Sequence, residues 1–328
     1  MQPIEVTPIH PADYSQAAAL FVQGYHRLRE KIPALSNHMD DITRVESQLE
    51  RLFNQCQGLA ARQDGQLVGF MGWYIAPGFR GTTRTGAYVP EWGHCASAQV
   101  LPQVYRALYQ KASTIWTTAK VQVHAITMLA NNQAERDFWF WNGFGMLVVD
   151  AIRSMSSPGL PVCSELTIRK AVPADAVILH ALDIEHCRHY TKPPVFMSPR
   201  QASVTSTQEW LEFLNRPENA VWIALAGKTP AGFIRFDAND VNGSTILEGE
   251  STVFISGAYV HPEYRGHGAA TAILDAALQD YALRGYRRCV LDFESVNPQA
   301  STFWLRYFQP VAYSLMRIPE WVRGTDTE

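Results

Sequence analysis

The chain has 328 residues, 47% of them hydrophobic, and a formal net charge of −3 with no run of Lys or Arg, which implies two domains of a soluble globular protein and excludes the electrostatic footprint of a nucleic-acid binder. Five scattered cysteines, Cys56, Cys95, Cys163, Cys187 and Cys289, form no Cys-x-x-Cys pair and read as free thiols in a reducing compartment. Met1-Gln-Pro-Ile-Glu lacks the basic start and apolar core of a signal peptide, and no apolar run reaches membrane-spanning length, so the cytoplasm is the expected location and no membrane partner is expected.

A first strand is expected from Ile4 to Ile9, then a helix opened by Pro11-Ala12-Asp13, with Ala18, Phe21, Val22 and Tyr25 on its apolar face and Pro33 as its stop. A second helix runs from about Asp41 to Asn54. Strands from Leu59 to Gln63 and from Gln66 to Ile75 are joined across Asp64-Gly65, a strong hairpin signal. After the Gly/Thr/Arg-rich loop from Gly78 to Gly86, extended structure resumes at Ala87-Tyr88-Val89. A helix from about Ala98 to Ala119, a strand from Val121 to Leu129, a helix from Asn132 to Trp141 and a strand from Gly145 to Met155 complete this half. The aromatics Phe138, Trp139, Phe140 and Trp141 read as core and interdomain packing.

Ser156 to Val162 is rich in turn formers and marks a linker, which separates domains at 1–157 and 163–328. Beyond it the same order of elements returns. Pro173-Ala174-Asp175 repeats Pro11-Ala12-Asp13, and Gly232-Phe233 answers Gly69-Phe70. Ala258-Tyr259-Val260 answers Ala87-Tyr88-Val89, while Asn297, Phe303 and Trp304 match Asn132, Phe138 and Trp139 at a constant offset of 165 residues. The chain is two copies of one α/β domain, a duplication and not a solenoid.

The copies differ in one stretch. In the second, a buried strand from Thr252 to Val260 is followed by Arg265-Gly266-His267-Gly268-Ala269-Ala270 and then a helix with Ile273, Leu274, Ala277, Leu278 and Tyr281 at helical spacing. Two glycines let backbone N–H groups approach a ligand, and a helix N-terminus carries partial positive charge; with Arg265 this suits a diphosphate. The first copy lacks the arginine and carries Cys95 where the second has Gly268.

With Arg265 to Ala270 after a central strand, and Asn297-Pro298 opening a helix with the aromatic pair Phe303-Trp304, the chain resembles the GNAT acyltransferase superfamily, in its tandem form with one degenerate half. The resemblance implies an α/β fold with a mixed (α+β) sheet, two GNAT-like domains, and a fourth and fifth strand that splay to admit the pantetheine arm of acyl-CoA. It places Ala258, Tyr259 and Val260 beside the pantetheine and thioester, with the Val260 N–H as oxyanion donor. Residues Arg265, Gly266, His267, Gly268, Ala269 and Ala270 would hold the diphosphate, Asn297 would bond the pantetheine arm, and Trp304 would line the cofactor. Acetyl-CoA is the implied acyl donor; the absence of a basic or extended peptide-binding signature points to a small-molecule amine or amino-acid derivative as the acceptor, and neither metal nor nucleic acid is expected.

Three features depart from the family pattern. Trp304 stands where many members place the tyrosine that protonates the leaving thiolate, which makes Tyr307 the nearest substitute; no glycine precedes Tyr307-Phe308; and each half ends in a single strand. Thr252 occupies the position of the usual carboxylate base. Glu250, two residues earlier, shares its strand face if the strand extends that far, although Glu248-Gly249-Glu250 also reads as a solvated turn. Glu294, on one face with Asp292, is the other candidate base, its plainer account being a solvated strand end. His186 and His189 could line a substrate cleft or simply favour a helix C-terminus, and no further ligands accompany them for a metal. Asn297 before Pro298 also reads as a helix N-cap. The alternatives to an acyl-CoA-dependent N-acyltransferase are a non-catalytic acyl-CoA sensor or partner-binding module and an aminoacyl-tRNA-dependent transferase; the intact loop and negative charge count against the last.

Overall fold

A computed structural model describes residues 3–156, 159–160, 166–238 and 243–320. The elements of the first copy are β1 (Glu5–Pro8), α1 (Tyr14–Lys31), α2 (Ile42–Gln55), β2 (Gly58–Gln63), β3 (Gln66–Gly72), β4 (Tyr74–Ala76), β5 (Gly86–Val89), β6 (His94–Ala96), α3 (Leu101–Thr118), β7 (Val123–Leu129), α4 (Gln133–Trp141) and β8 (Gly145–Ser154). Those of the second are β9 (Thr167–Lys170), α5 (Ala176–Thr191), α6 (Thr207–Leu214), β10 (Ala220–Ala226), β11 (Thr229–Asp237), β12 (Thr252–Val260), α7 (Ala269–Leu283), β13 (Arg288–Glu294), α8 (Pro298–Trp304) and β14 (Gln309–Arg317).

The repeat is visible in local chemistry. Asp13 and Asp175 each accept from the backbone N–H three residues back, His10 at 2.9 Å and Val172 at 2.8 Å, and each takes an arginine, Arg62 and Arg169. Asn132 and Asn297 each cap the following helix, accepting from Glu135 and Ala300 N–H. The Asp64-Gly65 hairpin turns with positive φ at both residues, which suits a tight two-residue connection.

Contacts divide the chain into two compact units, but not into linear halves. The first takes Met1–Asp150, Ser244–Ile246 and the strand from Pro310; the second takes Ala151–Gly243 and Leu247–Gln309. The expected boundaries at 157 and 163 are therefore crossed: Ala312–Arg317 of β14 pair antiparallel with His124–Leu129 of β7, which draws the last strand to the first unit. Much of the expected linker lies outside the described residues, as does Cys163. Cys56, Cys95, Cys187 and Cys289 are free thiols.

The first unit packs β2, β5 and β7 around an aromatic cluster of Tyr105, Tyr109, Trp116, Phe138, Trp139 and Phe144. Of the four aromatics on α4, Phe138 and Trp139 are buried, but Phe140 and Trp141 are exposed, Trp141 by 91%. A single short helix has one inner face, and those two side chains fall off it.

Two buried carboxylates of this unit hold the Ser244–Ile246 segment. Asp150 accepts from Ser244 N–H at 3.1 Å and Ser244 Oγ–H at 2.8 Å, and Glu91 accepts from Ile246 N–H at 3.2 Å. Burial, with Asp150 nearby, pushes Glu91 up to about 7; burial lifts Asp150 to about 6 and Glu135 to about 7. These groups bind protons more tightly folded than unfolded, so their stabilisation is complete below the unfolded carboxylate pKa and is lost as pH rises through about 7. His94 and His124, lowered to about 4 by burial, act in the opposite sense and cost stability only as pH falls below 6.5. Glu91 alone should then remove about 1 kcal/mol of stability between about pH 6 and pH 8. Thermal unfolding across that range is expected to be flatter for Glu91→Gln than for wild type; an identical slope would mean that Glu91 is already ionised in the fold.

In the second unit β9, β10, β11 and β12 pair antiparallel in that order, and β13 joins β12 in parallel. Leu179, Leu182, Trp210, Phe213, Val221, Ile223, Phe233 and Tyr259 form the core under α5 and α6.

Candidate active site

The parallel pairing of β12 with β13 covers only Thr252–Ile255 against Arg288–Leu291. Beyond it β12 stays with β11, from Arg235↔Gly257 to Gly232↔Val260. A register shift places one extra residue, Ser256, where the pairing with β13 stops; such a bulge bends a strand and re-aims the residues beyond it. The strands part there, and a cleft of about 1060 Å³ opens, lined by Ser256–Val260, Leu291–Glu294 and the loop after β12.

The ladder fixes which backbone groups face this gap. His261 N–H donates to Ala231 O on β11 at 2.8 Å. Backbone polar groups alternate in direction along an antiparallel strand, so those of Tyr259 also serve β11, whereas those of Ala258 and Val260 point away from it, toward the gap. The expectation that Tyr259 offers backbone groups to a ligand is corrected on this ground; the Val260 N–H is correctly aimed. Val260 O accepts from Arg265 Nε at 2.9 Å, which pins the loop to the strand end.

The loop is shaped as its sequence demands. Gly266 and Gly268 have φ of 80° and 78°, in the left-handed region where other residues are strained, and Gly268 is the N-cap of α7. No side chain caps that helix, so the first-turn N–H groups remain as donors for an anion. Gly266, Gly268, Ala269 and Ala270 line the cleft with Arg265, Asn297 and Trp304; His267 is not on its lining. Asn297 caps α8 and also bonds the side chains of His189 and Tyr190.

The opposite wall comes from α5, α6 and β11. His186 Nδ1 lies 3.1 Å from Asp183 Oδ1, and Asp183 Oδ2 accepts from Thr205 N–H at 2.7 Å. A carboxylate only accepts, so Nδ1 carries a proton, and in the neutral imidazole Nε2 is left with the free lone pair. Burial works against the charge of Asp183, but the bonds from His186 and Thr205 outweigh it and hold the carboxyl below its usual range. The ring packs on Tyr190, Phe233 and Tyr259, and its Cε1 lies 3.9 Å from where a Cβ on Gly257 would stand. Tyr190 is pushed up to about 12 by burial and by the negative charges of Asp292 and Glu294, so its phenol stays protonated. Asp183, His186 and Cys187 come within 4.8 Å of one another, but the first two bond each other, and burial with Asp183 beside it lifts the Cys187 thiol to about 11. Asp183 and His186 thus form a hydrogen-bonded dyad.

The model of the acetyltransferase (GNAT) family matches residues 185–308, which span the parting strands, the glycine loop and Asn297. The second half is a GNAT domain. Among solved structures, a GCN5-related N-acetyltransferase from Sphaerobacter thermophilus is 14% identical, with 97% of each chain covered and a TM-score of 0.57. A GCN5-related glucosamine N-acetyltransferase region of a fungal multi-domain GH3 β-N-acetylglucosaminidase is also 14% identical, at a TM-score of 0.54. That likeness covers 96% of this chain and only 38% of the fungal one. Both show that the chain has the GNAT fold over nearly its whole length. No curated protein matches it.

Within the GNAT domain the expected catalytic residues scatter. Glu294 is buried and lines the cleft beside Asp292. Glu250 does not: it is exposed in the turn before β12, at the paired end of the strand, far from the parting. Tyr307 lies beyond the end of α8, and its hydroxyl meets Thr271 Oγ1 at 3.3 Å without lining the cleft. Sequence reasoning named His186 but passed over Asp183, although Asp183-x-x-His186 is an i,i+3 pair that a helix brings together. It also missed Arg235 and Trp210 as cleft residues.

The first unit explains its own divergence. Ala87-Tyr88-Val89, matched to Ala258-Tyr259-Val260 by sequence, pair in parallel with β7 up to Val89↔Ile126, but by register the counterpart of Val260 is Ala96 of β6, since Gly69↔Ala96 answers Gly232↔Val260. Beyond Val89 the strands part here as well, since among the described residues β6 pairs with β3 and not with β7, but the buried His94 side chain reaches across and bonds Thr127 O on β7 at 2.8 Å.

Proposed function

We propose that the chain is an acyl-CoA-dependent N-acyltransferase that moves an acetyl group from acetyl-CoA directly to the amine of a small molecule in a ternary complex, with the chemistry in the second unit. The observation that carries this reading is the parting of β12 and β13 beside an uncapped helix N-terminus built on two left-handed glycines. The first-turn N–H groups of α7 and Arg265 would take the diphosphate, and the open backbone groups of Ala258 and the Val260 N–H the pantetheine and thioester. As the amine nitrogen bonds to the carbonyl carbon, the Val260 N–H would stabilise the charge gathering on the oxygen, an effect worth about 3 kcal/mol. His186, oriented by Asp183, would take the amine proton through Nε2, and the C–S bond would break to release the thiolate.

Calorimetric titration of acetyl-CoA tests the cofactor part. Wild type is expected to bind with a stoichiometry near one, and Arg265→Glu to bind about 30-fold more weakly, the loss of a charge-assisted contact. Two equivalents bound, or no binding by wild type, would overturn the reading.

A further inference from the structure

The wall of the cleft facing β12 contains polar atoms that satisfy nothing. Among the described residues, Trp210 Nε1–H, Arg235 Nε–H and His186 Nε2 are buried and have no hydrogen-bond partner. Trp210 is only 1% exposed, and all three residues line the cleft. Buried polar atoms are nearly always bonded, so orphans that share a cleft mark groups a ligand supplies.

The orphans differ in kind, and the difference has a pattern. Trp210 and Arg235 are neighbours, with the guanidinium carbon 5.2 Å from the Trp210 ring centroid and 3.9 Å from that of Phe213. Both offer donors, one of them cationic, and neither orphaned N–H finds an acceptor among the described residues. Burial disfavours the charge of Arg235, which Asp237, Asp183 and Glu209 partly support and Arg216 opposes. Asp183, the carboxylate that shares its wall, is already engaged with His186 and Thr205. The missing partner of this corner is an anion, for which a planar guanidinium beside an indole N–H is a good match.

His186 offers the complement, an acceptor lone pair. Its Cε1 and the Cβ of Arg235 each lie 3.9 Å from the same point above Gly257, so the ring and the root of the arginine side chain meet at one glycine, from which the guanidinium runs to Phe213 and Trp210. A ligand that satisfies both carries an N–H donor and an anionic group. We infer that the acceptor is an amino acid or a close amino-carboxylate, its carboxylate held by Arg235 and Trp210 and its amine presented to His186 Nε2. This rests on the acyl-transfer reading and names the acceptor class for it.

Acetyl transfer to a panel of amino acids, each assayed beside its own carboxamide and its decarboxylated amine, tests the assignment in wild type without any variant. Each carboxylate is expected to exceed its two neutral partners in kcat/KM by at least about tenfold, mostly through KM, as for loss of one charged hydrogen bond. In Arg235→Gln that preference should fall toward one, and Arg235→Lys should restore part of it. Circular dichroism establishes that the variants are folded, and the wild-type comparison stands if they are not. Equal transfer to acids and neutral amines would overturn the inference and leave the acyltransferase standing. Binding of acetyl-CoA with no transfer to any member of the panel would overturn both.

Discussion

Replacing His186 by alanine is expected to lower kcat/KM for amine acetylation by about 100- to 1,000-fold, the range of a general base removed from a positioned donor. The geometry leaves little choice of proton acceptor on the acceptor side of the cleft. Asp183 fixes the imidazole through Nδ1, so the free lone pair sits on Nε2, and the ring stands over Gly257 one residue beyond the Ser256 bulge. Glu294, the other carboxylate candidate on the cleft, lies at the end of β13 with Asp292, across the gap from that wall. Glu294→Gln should therefore cost less than His186→Ala. Steady-state kinetics of both variants at saturating acetyl-CoA decides between them: a larger loss for Glu294→Gln would transfer the role to the carboxylate. His186→Gln keeps size and polarity without basicity, and is expected to behave as the alanine variant does.

How much the residues reveal depends on how local the controlling physics is. The glycine loop was legible because Gly266 and Gly268 adopt a backbone that few other residues tolerate, and Asn297-Pro298 because capping involves only three neighbouring residues. Glu250 would have shared the strand face only had the strand extended that far; its other reading, a solvated turn residue, is the one the structure shows. Gly249 at φ 156° and Ser251 at φ 57° end the extended run, and β12 begins at Thr252. Tyr307 was placed by helical spacing, but α8 stops at Trp304, so the spacing no longer applies. Arg235 gave no signal because a lone arginine in a strand reads as surface; only the fold lays Phe213 and Trp210 against it.

The duplication was legible as well, but its consequence was not. The lost arginine and Cys95 suggested a first copy without a phosphate cradle. The larger change lies in what fills the parted strands: the buried His94 side chain of β6 bonds Thr127 O on β7, whereas a cleft stays open beside Ala258–Val260. Matching Val89 to Val260 by sequence missed this, because register is set by packing around the strands and no single residue encodes it. Likewise the assignment of β14 to the first unit rests on long-range pairing with β7 that a linear repeat does not reveal.

The same duplication supplies an internal control for the second large effect. Gly232 stands opposite Val260 in a non-hydrogen-bonded pair, where strands approach most closely, and a Cβ there would meet Tyr259 O at 2.5 Å and Val260 Cα at 2.9 Å. Both obstacles are backbone, so Gly232→Ala has to push the end of β12 outward, and with it the Val260 N–H on which carbonyl activation depends. Gly69, its counterpart, meets Cys95 O at 2.8 Å and a Val104 methyl at 2.4 Å, an obstruction of similar severity in the first unit. Each substitution is expected to cost about 2 kcal/mol of stability, the usual effect of overpacking. Only Gly232→Ala should also lose about 100-fold in kcat/KM, since a displacement of about 1 Å at a reacting centre has that effect. Thermal unfolding and acetyl-transfer assays of the two variants separate the outcomes. Equal loss of turnover in both would mean that activity follows stability alone, and comparable turnover in Gly232→Ala and wild type would remove the Val260 amide from the mechanism.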